Sequence, residues 1–150
     1  MMIQNRHSKN ARERWEFINT LDEEYLKGGA ILSEWCAFIV RSSDEAFGAG
    51  AFLASILTAV AGIETHLRSQ GGQIARRTFS QLIDECALDQ MQIEDLHDLR
   101  RYRNRWVHVN DPWDDVSLID EPEKHESELE DMAIFAARLL RKTIYSNQWA

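Results

Sequence analysis

From Ala46 to Ile63 the chain carries no charged side chain, and glycine, alanine, serine and threonine fill more than half of the stretch. A run this apolar has to leave water along most of its length, either inside a bilayer or at the centre of a protein core. It just reaches the lower length of a membrane span. The acidic flank Asp44-Glu45 and the lack of any second segment as apolar argue against that use. The expectation is a central helix whose small side chains let neighbouring helices approach closely.

Around that spine the apolar residues recur at helical spacing, with no sustained alternation of the kind a strand needs. The expected fold is all-α, a four- to five-helix up-and-down bundle forming a single domain over residues 1–150. Both prolines, Pro112 and Pro122, fall between His108 and the last helix, so no proline breaks an earlier one. The spacing predicts a first helix over about 8–27, ending at Gly28-Gly29 with Trp15, Ile18 and Leu21 inward. It predicts a second over about 30–41, with Ile31, Trp35, Phe38 and Ile39 at helical spacing. Ser42-Ser43-Asp44-Glu45 reads as a capping box that opens the spine, and Gly71-Gly72 as its end. Thr78-Phe79-Ser80-Gln81 caps a short helix to about Leu88, Asp89 caps the next, and a long helix runs over about 123–146. In this last helix Arg138, Arg141 and Lys142 near the end complement the helix dipole.

Cys36 and Cys86 sit in apolar periodic segments without metal-ligand spacing and read as buried thiols. The polar start, with Arg6, Lys9, Arg12 and Arg14, lacks the apolar core of a secretory leader, so the protein is expected in the reducing cytoplasm. Nucleotide-loop, dinucleotide, zincin and hydrolase-elbow motifs are absent. Glu64 and His66, two apart on the spine, point to different faces. Neither a metal nor a cofactor is expected.

The net charge of -8 makes one segment conspicuous. Between Leu96 and His108 stand Arg100, Arg101, Arg103 and Arg105 with His97 and His108. Clustered cations on an acidic protein mark a place for an anionic ligand. At about 100° per residue, Asn104 and His108 share a face, while Leu96, Leu99, Trp106 and Val107 face the core with Arg103 among them. A half-buried guanidinium needs a counter-charge, and Glu64 on the spine is the candidate. Arg103 and His108 stand about 140° apart on an ideal helix. One small ligand meets both only if the helix end distorts or two protomers contribute. The expectation is therefore a homodimer whose interface includes this segment.

An arginine-rich helix of the form Leu-x-x-Leu-Arg-x-x-Arg-Asn-x-x-x-His, followed by a Pro-containing loop and a long closing helix, resembles the HEPN superfamily over roughly residues 30–147. Members of that superfamily are small helical bundles, often dimeric. Its active forms are metal-independent endoribonucleases with an Arg-x(4-6)-His motif. The resemblance implies Arg103 and His108 as the motif pair, Asn104 as the polar residue after the arginine, and Glu64 as an acidic position on an earlier helix. It implies an RNA substrate bound with help from Arg100, Arg101 and Arg105, use as a toxin or phage-defence effector, and an antitoxin protein as a possible partner. Members paired with a nucleotidyltransferase antitoxin often carry a modified tyrosine two residues after the histidine, where this chain has Asn110. The other reading is a noncatalytic module of the same type that binds RNA, a nucleotide or a protein. A third reading needs no ligand: Arg103 in a buried ion pair and His108 as a helix-capping histidine.

Overall fold

The computed structural model describes residues 8–70, 77–113 and 117–148. Among them the chain is all-helical, with seven helices: α1 (Ala11–Tyr25), α2 (Glu34–Gly48), α3 (Phe52–Gln70), α4 (Phe79–Glu85), α5 (Gln90–Val107), α6 (Ser117–Asp120) and α7 (Pro122–Ile144). The expected spine end at Gly71-Gly72 lies outside the described residues.

Helix α1 starts later than its apolar spacing suggests, because Asn10 caps it: its side chain accepts from the Glu13 amide at 2.9 Å while Glu13 accepts from the Asn10 amide at 3.4 Å. It stops at Tyr25, before the glycines. There Gln148, from beyond α7, accepts from the amides of Lys27 and Gly28 at 2.6 and 2.9 Å and donates to the Tyr25 carbonyl at 2.6 Å. A distant side chain does the work expected of a glycine cap. Ile18 and Leu21 are buried as expected, whereas Trp15 stays partly exposed and covers Gly48, where a Cβ would collide with its indole.

The Ser42–Glu45 capping box does not form. Helix α2 runs through those residues to Gly48, because two of them have partners elsewhere. Ser43 is buried and donates to the Ser55 carbonyl of α3 at 2.9 Å, and Asp44 reaches α7. The break comes at Gly50, whose φ of 77° suits a glycine. Bonds from Gly50 N to Phe47 O and Ala51 N to Ala46 O, at 3.0 and 2.9 Å, complete a Schellman closure that turns the chain into α3. The buried face of α2 is Cys36, Val40, Ser43 and Phe47. Ile31, Trp35 and Phe38 stand out in solvent.

Helix α3 is central, packing on α2, α4, α5 and α7. Gly62 permits this: an added Cβ would meet Leu140 at 3.3 Å and Ile39 at 3.5 Å, and Cys36 Sγ approaches the Gly62 carbonyl at 3.6 Å. No helix among the described residues is long and apolar enough to cross a membrane. Asp89 caps α5, and Thr78 with Gln81 forms the box that opens α4. Helix α4 stops at Glu85, short of Leu88.

Arg141 stands in the last turn of α7 as expected, but it is also a core residue. It is 1% exposed, bonded to Asp44 at 2.7 Å and to Asp22 at 3.3 Å. Burial works against its charge, and the two carboxylates outweigh that, so its pKa is raised. Burial first, then Asp22, pushes the Tyr145 phenol up to about 12, so it remains a donor to Asp22 at 3.0 Å. This cluster ties α1, α2 and α7 together through their side chains.

Candidate functional site

Helix α5 packs on α3, α4 and α7 and carries the basic segment. Leu96, Leu99 and Tyr102 are buried and set its orientation; Trp106 is half-buried, but Val107, expected in the core, is 43% exposed. The helical bonding ends there. His108 is the C-cap, its amide bonded to Asn104 O at 2.9 Å and its backbone at φ -126°, ψ 63°. Relative to a helical φ of about -63°, this turns the Cβ about the N–Cα bond by roughly 60°. The 140° separation drawn from an ideal helix therefore does not govern the His108 imidazole, which is exposed.

The expected Arg103–Glu64 ion pair does not form. Glu64 accepts from Arg68 one turn along α3, at 3.1 Å. Such (i, i+4) pairs form within a single helix and need no tertiary fit. Arg103 is half-buried as expected, but the two groups it contacts are uncharged. Its Nε donates to Asn104 Oδ1 at 2.9 Å, and its guanidinium lies over the Phe79 ring, 5.9 Å from the centroid. Asn104 thus positions Arg103 through its side chain and receives His108 through its carbonyl.

The other three arginines divide by face. Arg101 and Arg105 are exposed and neutralised, Arg101 by Asp98 at 3.1 Å and Arg105 by Glu128 at 3.7 Å, with Arg105 also 5.4 Å from the Tyr102 centroid. Arg100 is half-buried, and its Nε donates to His97 Nδ1 at 3.4 Å. His97 Nε2 in turn meets Asp84 Oδ1 at 2.7 Å. The tautomer with its proton on Nε2 satisfies both contacts. Among the described residues no carboxylate lies within ion-pair distance of Arg100 or Arg103.

So the structure separates what the sequence lists together. Arg100 and Arg103, one turn apart at half-buried positions, have no counter-charge among the described residues, while Arg101 and Arg105 are already occupied. Phe79 and Asp84 support the site and escaped the reading by residue type, while His97, counted in the basic segment, was not read as the link between Asp84 and Arg100. The signal available for His97 was its spacing of three from Arg100, which places both on one side of a helix. Burial pushes the nearby Tyr102 phenol up, so it stays protonated beneath Arg105. Among the described residues no group of three His, Cys, Asp or Glu side chains is arranged to hold a metal ion. Trp106 also lines a groove of about 380 Å³ with Leu53, Leu118, Pro122, His125 and Leu129, beside the start of α3. Compared with protein-family models, curated proteins and solved structures, the chain matches none.

Proposed function

We propose that the chain is a metal-independent endoribonuclease of HEPN type, acting in the cytoplasm as a toxin or phage-defence effector and assembled as a homodimer. The observation that carries this reading is Arg103: a half-buried guanidinium with no carboxylate against it among the described residues, fixed by Asn104 and Phe79, five residues before an exposed imidazole. A planar cation held in this way is suited to receive a phosphate. Arg100, one turn earlier, adds a second donor. His108 takes the proton of a ribose 2′-hydroxyl, and the oxygen attacks the adjacent phosphorus. Charge gathering on the phosphorane oxygens is met by Arg103. The P–O5′ bond breaks, the 5′-oxygen takes a proton from solvent, and the products are a 2′,3′-cyclic phosphate and a 5′-hydroxyl. Each chain holds a complete set of these groups.

Purified protein incubated with RNA in chelator should yield cyclic-phosphate ends, and His108→Ala and Arg103→Ala should each abolish them. Neither change should unfold the protein. His108 is an exposed cap, and removing Arg103 strands no buried carboxylate; it loses a cation–π contact of about 0.5–1 kcal/mol. Circular dichroism melts check this. Intact RNA across varied substrates, or undiminished cutting by His108→Ala, overturns the enzyme reading. The same residues then serve a noncatalytic module that binds RNA, a nucleotide or a protein such as an antitoxin. The neutralised state of Arg101 and Arg105 favours that second reading, since it leaves a small anion site.

A further inference from the structure

Three large apolar side chains on α2 and the short segment leading into it stand in water, and Trp35 and Phe38, three apart on the helix, share a side. Ile31 and Trp35 are each 79% exposed and Phe38 is 69% exposed, while the opposite face of α2 is buried on α1 and α3. Together these three expose on the order of 400 Å² of side chain, the size of patch that on a soluble protein marks an interaction surface. Its rim carries both signs of charge. Glu34, Phe38, Arg41 and Glu45 follow one stripe, at intervals of four, three and four residues. Arg41 bonds only its own Glu45, at 3.2 Å, and both side chains are well exposed.

We infer that this face of α2 is the contact between two copies of the chain, with the two α2 helices antiparallel across a two-fold axis near Ala37 and Phe38. That register sets Glu34 of one copy against the partner's Arg41, and the reverse, while Trp35 and Phe38 close the centre from both sides. An acidic position and a basic one, seven residues apart about an apolar centre, make the face complementary to its own two-fold image. The area fits as well. Counted from both copies, the three apolar side chains approach the lower bound of a specific interface, about 1,000 Å², before the rim is added. The inference rests on the homodimer proposed above but sets its surface on α2 instead of on the Arg103–His108 segment that the sequence suggested, and it is argued from exposure and charge rather than from RNA chemistry.

Sedimentation of the full chain without RNA tests it. The wild type should be a dimer, and Trp35→Glu should weaken it by roughly thirtyfold or more, as when a central aromatic anchor is lost. An exposed side chain is replaced, so the helical circular dichroism spectrum should not change, and the melt should fall only by what the dimer contributed. Glu34→Arg and Arg41→Glu should each weaken the dimer, and the double variant should restore it. A wild type that stays monomeric at the highest concentration measured overturns the inference. So does a Trp35→Glu protein that still dimerises like wild type, or a double variant no better than the single ones. Each of these outcomes leaves the cleavage result for His108→Ala standing by itself.

Discussion

Asp44 and Asp22 face the same guanidinium from different depths, and that difference sets what each contributes. Asp44 is mostly buried, and burial raises its pKa against the pull of Arg141. Asp44→Ala leaves a guanidinium that is 1% exposed with only Asp22 of its two carboxylates, which should cost about 3 kcal/mol in urea unfolding, the low end for a broken buried pair. Asp22→Ala should cost less, since water reaches that side of the cluster. His66 gives a pH signature. It is 3% exposed, its Nδ1 has no partner, and burial lowers its pKa from 6.5. The folded state therefore favours the neutral ring, and the unfolded chain takes up the proton first as pH falls. Stability from this group is present above pH 6.5 and is lost as pH drops towards the folded-state value, by at most about 1.4 kcal/mol per pH unit. Melts of wild type and His66→Leu should diverge below pH 6.5, with the variant flatter and no less stable at neutral pH. A parallel decline would assign the loss to the carboxylates. Residue type alone revealed neither group. Arg141 occupies a position of the last turn that suits the dipole equally well, and only the approach of α1 and α2 makes it a core residue.

At the scale of elements, local signals were legible where the chain itself supplies both partners of a bond. The Thr78 box and the Asp89 cap formed as read. The Ser42–Glu45 box failed because Ser43 and Asp44 bond to α3 and α7, partners 12 and 97 residues away. The boundary moved to Gly50, the one positive φ among the described residues. Gly50→Ala should lower stability by about 1 kcal/mol. A Cβ at positive φ costs roughly 1–2 kcal/mol, and the smaller entropy of the unfolded variant returns about half of that. The new methyl would also press on the Arg14 guanidinium at 3.3 Å, which itself bonds the Gly48 carbonyl at 3.0 Å. Denaturation midpoints of Gly50→Ala and wild type check the size, and a variant more stable than wild type would show that the turn accepts another conformation. The exposed side of α2 was illegible for a related reason. Trp35 and Phe38 follow a helical period whether they face a core or a partner.

For the whole molecule, net charge and local charge make opposite demands on RNA. A surface at -8 repels a polyanion, so binding depends on how many guanidiniums are free to meet phosphate. The basic segment offers four by sequence but two by structure, because Asp98 and Glu128 occupy Arg101 and Arg105. For single strands, the logarithm of affinity falls against the logarithm of salt with a slope of about -0.7 per phosphate neutralised. Each chain should therefore contribute a slope near -1.4, from two such contacts. Fluorescence anisotropy of labelled RNA with the His108→Ala protein measures this without cleavage. Arg100→Ala and Arg103→Ala should each flatten the slope by about 0.7 per chain, and Arg101→Ala and Arg105→Ala should leave it unchanged. If all four variants flatten it equally, the ion pairs on the outer face of α5 open on binding and the site is the whole basic stretch. If none does, RNA meets the protein elsewhere, and the half-buried charge of Arg103 is held by Asn104 and Phe79 for the fold alone.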